Sequence, residues 1–254
     1  MLLAVTRAIS EAFNRCELTH LARAPIDLDR ARAQHRAYER ALEDAGCTIV
    51  RVEAAPGLPD SVFVEDAAVV LDEVAIIMRP GAASRRAETP AVAGLLGGYR
   101  PLRFVEPPAT IDGGDVLVAG RSVFVGLSGR TNEAAVDQMR AILQRHGYAV
   151  HAVPVTGCLH LKSAVTALAD DRLLLNGDWV GRDRFSSFDL VEVDPSEPYA
   201  ANIVCVAGDL VYPDAFPRTR ERIERRGARV RTVGVSEIAK AEGAVTCCSL
   251  ILRI

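Results

Sequence analysis

Apolar residues in this chain fall in short paired runs instead of long blocks. "AAVVLDEVAIIMRP" (67–80) is two apolar stretches about a polar turn, the pattern of a β-hairpin. "DVLVAGRSVFVGLS" (115–128) repeats it around Ala119, Gly120 and Arg121. "SAVTALADDRLLLNG" (163–177) turns at Asp170 and Asp171, and "ANIVCVAGDLVYPDA" (201–215) turns at Gly208 and Asp209. Amphipathic helices are predicted after three of these hairpins, over 86–96, 131–146 and 217–226. In the last, Pro217 falls in the first turn, where its missing N–H costs nothing. Each helix leads into a short strand: "RPLRFVE", "YAVHAVPV" and "RVRTVGV". The hairpin at 163–177 is followed instead by the shorter "VGRDRF" before "FDLVEV". Near the start, 28–45 predicts a longer helix, stopped by Gly46 and followed by the strand "CTIVRVE".

The turns recur about every 40–50 residues, the period of a repeated supersecondary unit. A final apolar run, "SLILRI" (249–254), predicts a strand that pairs with one near residues 2–7, completing a fifth unit and closing a ring. A closed ring gathers loops from every unit around a central channel. No low-complexity linker interrupts the pattern, so an α/β fold in a single domain over 1–254 is expected.

Composition narrows the function classes. The 254 residues are 49% apolar and 25% charged, enough to bury a full core. A net charge of −3 leaves no basic footprint for nucleic acid or an anionic membrane. No window reaches the roughly 20 apolar residues of a membrane span. "MLLAVTRAISEAF" is apolar for too few residues before Arg7 to read as a secretory signal. The six cysteines show no CxxC spacing, so free thiols and a cytoplasmic location are expected.

Candidate chemistry begins with "TCCS". If the pair opens the last strand, Cys247 and Cys248 point to opposite faces, and a disulfide between neighbours would be strained. One of them at most looks into a given cleft. A thiolate nucleophile needs a proton-handling partner in space. Of the five histidines, His20, His35, His146 and His151 read as surface or structural, while His160 lies between two leucines in "GCLHLKS", just before a hairpin. "LPDSVFVEDAAVV" places Asp60, Glu65 and Asp66 in and beside an apolar strand, and "ATIDGGDVLVAG" places Asp112 and Asp115 around a Gly-Gly turn. Adjacent Glu65 and Asp66 resist a purely core role, because burying unpaired carboxylates is costly. Asp112 and Asp115 read equally well as exposed turn acids. An acidic site with one thiol and one imidazole suits a planar cation, since carboxylates grip guanidinium bidentately and a bound cation favours thiolate. A thiol facing an imidazole can also trap Zn²⁺ as an inhibitor, here at Cys247, although too few ligands cluster for a structural metal.

The segments "SVFVEDAAVV", "IMRPGAASRR", "TIDGGDVLVAG", "VGLSGRTN", "LHLKS" and "TCCS", in that order from about residue 18 onward, resemble the dimethylarginine dimethylaminohydrolase family. The resemblance implies a five-bladed α/β propeller (pentein) of ββαβ units, hydrolysis of methylated arginine to citrulline and an amine, and no cofactor. It implies that Cys247 is the nucleophile, His160 the general acid and then base, and Asp112 the carboxylate of the pair. Glu65 and Asp66 would hold the substrate, Asp66 on the guanidinium. Asp60 would lie near the amino-acid head, Arg85 and Arg130 would clamp the α-carboxylate, Leu18 would sit in a lid, and Ala241 would bind through its carbonyl. The chain departs from the family pattern at Glu242, where relatives carry Asp, in a loop that shapes the pocket. Arginine or agmatine deiminases share the Cys–His–carboxylate set, but the chain has no room for the helical insertion usual in arginine deiminases. A non-catalytic propeller that binds the ribosome is the rival from another class; it would lack the trio and carry a basic surface. The expected state is monomer or homodimer.

Overall fold

The computed structural model describes residues 1–254. Five three-stranded sheets stand around one axis, each with a middle strand antiparallel to the first and parallel to the third. The first blade comprises Ala68–Val70, Ala75–Ile77 and, across the helix Thr89–Leu96, Leu102–Phe104. The second comprises Val116–Ala119, Ser122–Leu127, the helix Glu133–Leu143 and Ala149–Pro154. The third has Val165–Ala169, Arg172–Leu175, a short 3₁₀ segment at Arg182–Phe185, and Asp189–Glu192. The fourth runs Val204–Val206, Asp209–Pro213, helix Pro217–Glu224 and Arg229–Val233. The fifth joins the two ends of the chain. Leu250–Arg253 pairs antiparallel with Leu2–Thr6, which pairs parallel with Cys47–Arg51 beyond the helix Leu28–Asp44. The ring is closed as the hairpin spacing predicts.

Local chemistry explains the boundaries. Asp27 caps the long helix by accepting from the Arg30 amide at 3.0 Å, and Gly46 supplies the left-handed residue just past its end. Asn132 caps its own helix in the same way through the Ala135 amide. The hairpin at 204–213 turns through Ala207 and Gly208, both with positive φ, the conformation of a two-residue turn that matches strand twist. Apolar side chains pack between neighbouring blades and not in one central mass. One such cluster sets Val69, Ile76 and Met78 of the first blade against Val123, Val125 and Met139 of the second. Each blade therefore needs its neighbour to bury its face, and closure removes the end faces.

Three details differ from the sequence reading, each where a turn replaces an expected regular element. The first helix of the blades begins at Thr89, and residues Ala83–Glu88 form 3₁₀ turns that carry Arg85 inward. Glu65 and Asp66 lie on a 3₁₀ turn, Val64–Ala67, ahead of the strand and not within it. Cys247 lies on another, Thr246–Cys248, so the cysteines diverge by turn geometry instead of strand alternation. Cys248 is buried in the core and Cys247 faces a cavity.

The first strands of all five blades line a central channel of about 220 Å³. The segments entering these strands lie at equivalent positions of the repeat. They are Val64–Ala67, Gly113–Asp115, Leu161–Ala164, Asn202 with Ile203, and Thr246–Cys248. Closest packing occurs here. A Cβ on Gly113 would lie 1.9 Å from the Glu65 carbonyl oxygen. Gly113→Ala is expected to destabilise the protein by at least about 2 kcal/mol, because backbone cannot yield as a flexible side chain would. A chemical-denaturation midpoint equal to that of the parent would contradict this packing.

Candidate active site

The repeat brings five entry segments together, and with them the chemistry. Glu65 and Asp66 arrive from the first blade, Asp112 and Asp115 from the second, His160 and Lys162 from the third, Asn202 from the fourth, and Thr246 with Cys247 from the fifth. His160 is 6% exposed. Its Nε2 lies 3.1 Å from Asp112 Oδ2, and its Nδ1 lies 3.9 Å from Asp66 Oδ1. Burial alone would lower the imidazole pKa, but Asp66, Asp112 and Asp115 outweigh it and hold the ring protonated up to about 9. Gly114 permits this approach, since a Cβ there would meet His160 Nδ1 at 2.6 Å and Asp66 Oδ1 at 2.8 Å. The Gly-Gly pair is a site feature, placed where backbone must pass between charged groups.

Each carboxylate has partners. Asp112, fully buried, accepts the Gly81 amide at 2.9 Å. Asp115, also fully buried, accepts from Ser128, Thr131 and the Leu161 amide, so it anchors the turn that presents His160 and is no exposed turn acid. Asp66 accepts the Gly114 amide at 2.9 Å and Arg85 at 2.6 Å. Burial would raise its carboxyl, but Arg85 and His160 bring it down to about 2. Glu65 accepts Lys162 at 2.6 Å and Thr246 Oγ1 at 2.8 Å, while Asn202 bonds both the Thr246 hydroxyl and its amide. This chain of bonds fixes the turn that carries Cys247.

Cys247 and His160 line the same two cavities. The larger, about 300 Å³, also touches Leu159, Tyr199, Asn202 and Phe216. The smaller touches Asp60, Asp66, Arg85, Arg130 and Ala241. Burial, Glu65 and Asp66 push the Cys247 thiol up to about 12, so the sulfur is a neutral thiol near pH 7. The Ala244 amide donates to its sulfur at 3.4 Å.

Most sequence-predicted residues converge, with differences in detail. Asp60 is buried and accepts the Glu17 amide. Leu18 packs on the apolar cluster around Phe13 and Phe63, while its neighbours Glu17, His20 and Leu21 line the cavities. Arg130 is held loosely, at 3.1 Å from Thr19 Oγ1 and 3.8 Å from Asp112. Arg85 is not open in the same way: it is 4% exposed, with its guanidinium between Asp66 and Glu88. His20, read as surface or structural, lies at the mouth of the larger cavity. Sequence reasoning missed Lys162, Asn202 and Thr246 as supports, and Glu88 as the second partner of Arg85. The signal common to Lys162, Asn202 and Thr246 is position in the repeat. Ligand-type atoms lying within 4.8 Å of one another belong to Asp66, Asp112 and His160, a set without Cys247. Arg85 and Arg130 already bring positive charge to those carboxylates.

A ring of five such blades, four of them ββαβ and the third with a 3₁₀ segment in place of the helix, with thiol, imidazole and carboxylates at one end of its channel is a pentein. Comparison with known proteins narrows the class. The family described as "N,N dimethylarginine dimethylhydrolase, eukaryotic" matches residues 20–176. The chain is 39% identical to a dimethylarginine dimethylaminohydrolase of Pseudomonas aeruginosa, over 88% of this chain and 89% of that one. It is 42% identical to one of Streptomyces coelicolor, over 93% and 91%. A Pseudomonas aeruginosa structure, a cysteine-to-serine mutant complexed with citrulline, superposes with a TM-score of 0.94 at 36% identity, covering 98% of each chain. The chain belongs to the dimethylarginine dimethylaminohydrolase family.

The imidazole makes stability depend on pH. Its pKa rises from 6.5 unfolded to about 9 folded, so the stabilisation is complete below 6.5 and is lost as pH climbs through 9. Relative to His160→Gln, the parent should lose an unfolding free energy on the order of 3 kcal/mol between about pH 6 and pH 9.5. Urea titrations of both proteins across that range measure it; a constant difference would contradict a buried imidazolium.

Proposed function

We propose that this protein hydrolyses Nω,Nω-dimethyl-L-arginine, and the monomethyl form, to L-citrulline and the corresponding amine. The observation that carries the reading is one cavity wall shared by a neutral thiol, a protonated imidazole and buried carboxylates, in a chain of this family. Asp66, with Glu65 behind it, supplies negative charge to a guanidinium. The Arg130 guanidinium is free to turn to an α-carboxylate, and Arg85 fixes Asp66 and adds positive potential beside it. Asp60 and Ala241 line the smaller cavity with them, placed to meet the amino-acid head of the substrate.

Chemistry follows from the charges. The negative surroundings of Cys247 disfavour a thiolate, and a bound guanidinium brings positive charge beside it, so Cys247 ionises as substrate binds and its proton passes to solvent, His160 being protonated already. The thiolate adds to the guanidinium carbon. The His160 imidazolium gives its proton to the departing dimethylamine, leaving a thiouronium on Cys247 and a neutral imidazole. That imidazole then takes a proton from a water, whose oxygen adds to the same carbon. Collapse expels the Cys247 sulfur, which takes up the hydroxyl proton to restore the neutral thiol, and releases citrulline. Asp112 holds the ring and stabilises its charged form through the 3.1 Å bond. The five blades act as one domain over 1–254, since the site draws residues from each, and free thiols throughout fit a cytoplasmic location. No helix is long and apolar enough to cross a membrane.

Citrulline release from dimethylarginine and from arginine tests the reading; faster turnover of arginine would transfer the assignment to a deiminase. Cys247→Ser is expected to abolish citrulline formation, with Cys248→Ser retaining much of it. Equal losses in two folded variants would show that the wrong thiol has been chosen.

A further inference from the structure

Residues 17–21 cross both cavities without regular secondary structure. Glu17 lines the smaller, His20 and Leu21 the larger. A segment of this kind needs partners for its amides. Here they are side-chain carboxylates and not backbone. The Glu17 amide donates to Asp60 at 3.1 Å. The amides of Thr19, His20 and Leu21 all converge on the Glu242 carboxylate, at 3.0, 2.5 and 2.5 Å. Arg130 adds a bond to the Thr19 hydroxyl at 3.1 Å.

Glu242 is unusual in its backbone as well. Its φ of 57° is left-handed, a region that non-glycine residues seldom occupy and that costs energy to hold. It stands between Ala241, on the smaller cavity, and Gly243, whose Cα lies so close to the Phe63 ring that a Cβ would meet it at 2.3 Å. The chain is thus turned sharply at this point, and the turn aims the Glu242 side chain over the cavities it lines.

We infer that Glu242 is the latch of the substrate cover: a positioning residue whose carboxylate seats the strap at 17–21 over the cleft. Of the charged groups that hold the strap, Asp60 and Arg130 are the ones assigned above to substrate. Glu242 is therefore the fixed point, and the other two exchange strap contacts for substrate contacts as the cleft fills. The inference rests on the substrate reading only for its kinetic consequence; the seating of the strap stands on geometry.

Glu242→Gly isolates the latch, because it removes the carboxylate and also relieves the left-handed backbone. Hydrogen exchange of the 17–21 amides, followed by mass spectrometry, should be at least about tenfold faster in this variant, as charge-assisted bonds are among the stronger ones. The thermal midpoint should not fall. KM for dimethylarginine should rise about tenfold or more with kcat within about threefold, since the latch touches neither the thiol nor the imidazole. Should the glycine variant fail to fold, Glu242→Gln carries the same comparison. Unchanged exchange at 17–21, or a loss carried by kcat with KM unmoved, overturns the latch. Absence of dimethylarginine turnover in the parent would instead strike the substrate reading, and the exchange comparison would still decide the role of Glu242.

Discussion

One buried imidazolium held between two carboxylates is the constraint around which this site is arranged. Taking His160, Asp66 and Asp112 out of water is expensive unless each charge has a partner. Arg85 answers Asp66, His160 answers Asp112, and Lys162 answers Glu65. The surroundings of Cys247 nevertheless stay negative, and the thiol is held neutral. A site in that state lacks one cation close to sulfur. A guanidinium supplies it, is planar enough to lie against carboxylates, and presents an electrophilic carbon. Under the proposed reaction, binding and activation of the nucleophile are therefore one event. Cys158, which lines the same large cavity, also has its thiol raised to about 12, by burial and by Asp115.

The fold makes this cluster possible by repetition. Every blade enters its first strand from a short turn at the same end of the ring, so residues far apart in sequence meet without any long excursion of the chain. Glu65 and Thr246 are 181 residues apart and bond at 2.8 Å. Joining both ends of the chain in the fifth blade fixes the turn with Cys247 against the one with Glu65 and Asp66. Arg85 and Arg130, the arginines of the smaller cavity, come from a second set of loops, those leaving the middle strands of the first two blades, which also approach closely. A Cβ on Gly81 would lie 2.4 Å from the Arg130 carbonyl oxygen.

Much of this was legible in the sequence, for definite reasons. Paired apolar runs about Gly and Asp turns gave four hairpins, and the spacing gave the ring, because period-2 alternation and turn chemistry are local signals. Cys247, His160 and the carboxylates were nameable because they are chemistry-bearing residues in apolar settings. The supports were not. Nothing local distinguishes Asn202 or Thr246 from surface polar residues, and Glu88 reads as one acid on an exposed helix until Arg85 is seen to turn inward. Asp115 reads as a turn acid because its three donors come from segments 13, 16 and 46 residues away. The 3₁₀ turns at 64–67 and 246–248 read as the starts of strands because each leads into one.

The central claim is that sulfur of residue 247 bonds covalently to the substrate carbon. Rapid acid quenching of the parent enzyme during turnover of dimethylarginine, followed by peptide mass mapping, measures this directly. An added thiouronium mass on the peptide that ends the chain, located by fragmentation at Cys247, is the result the proposed reaction predicts. Citrulline accumulating while every cysteine stays unmodified, or the adduct appearing on Cys158 or Cys248, would contradict it.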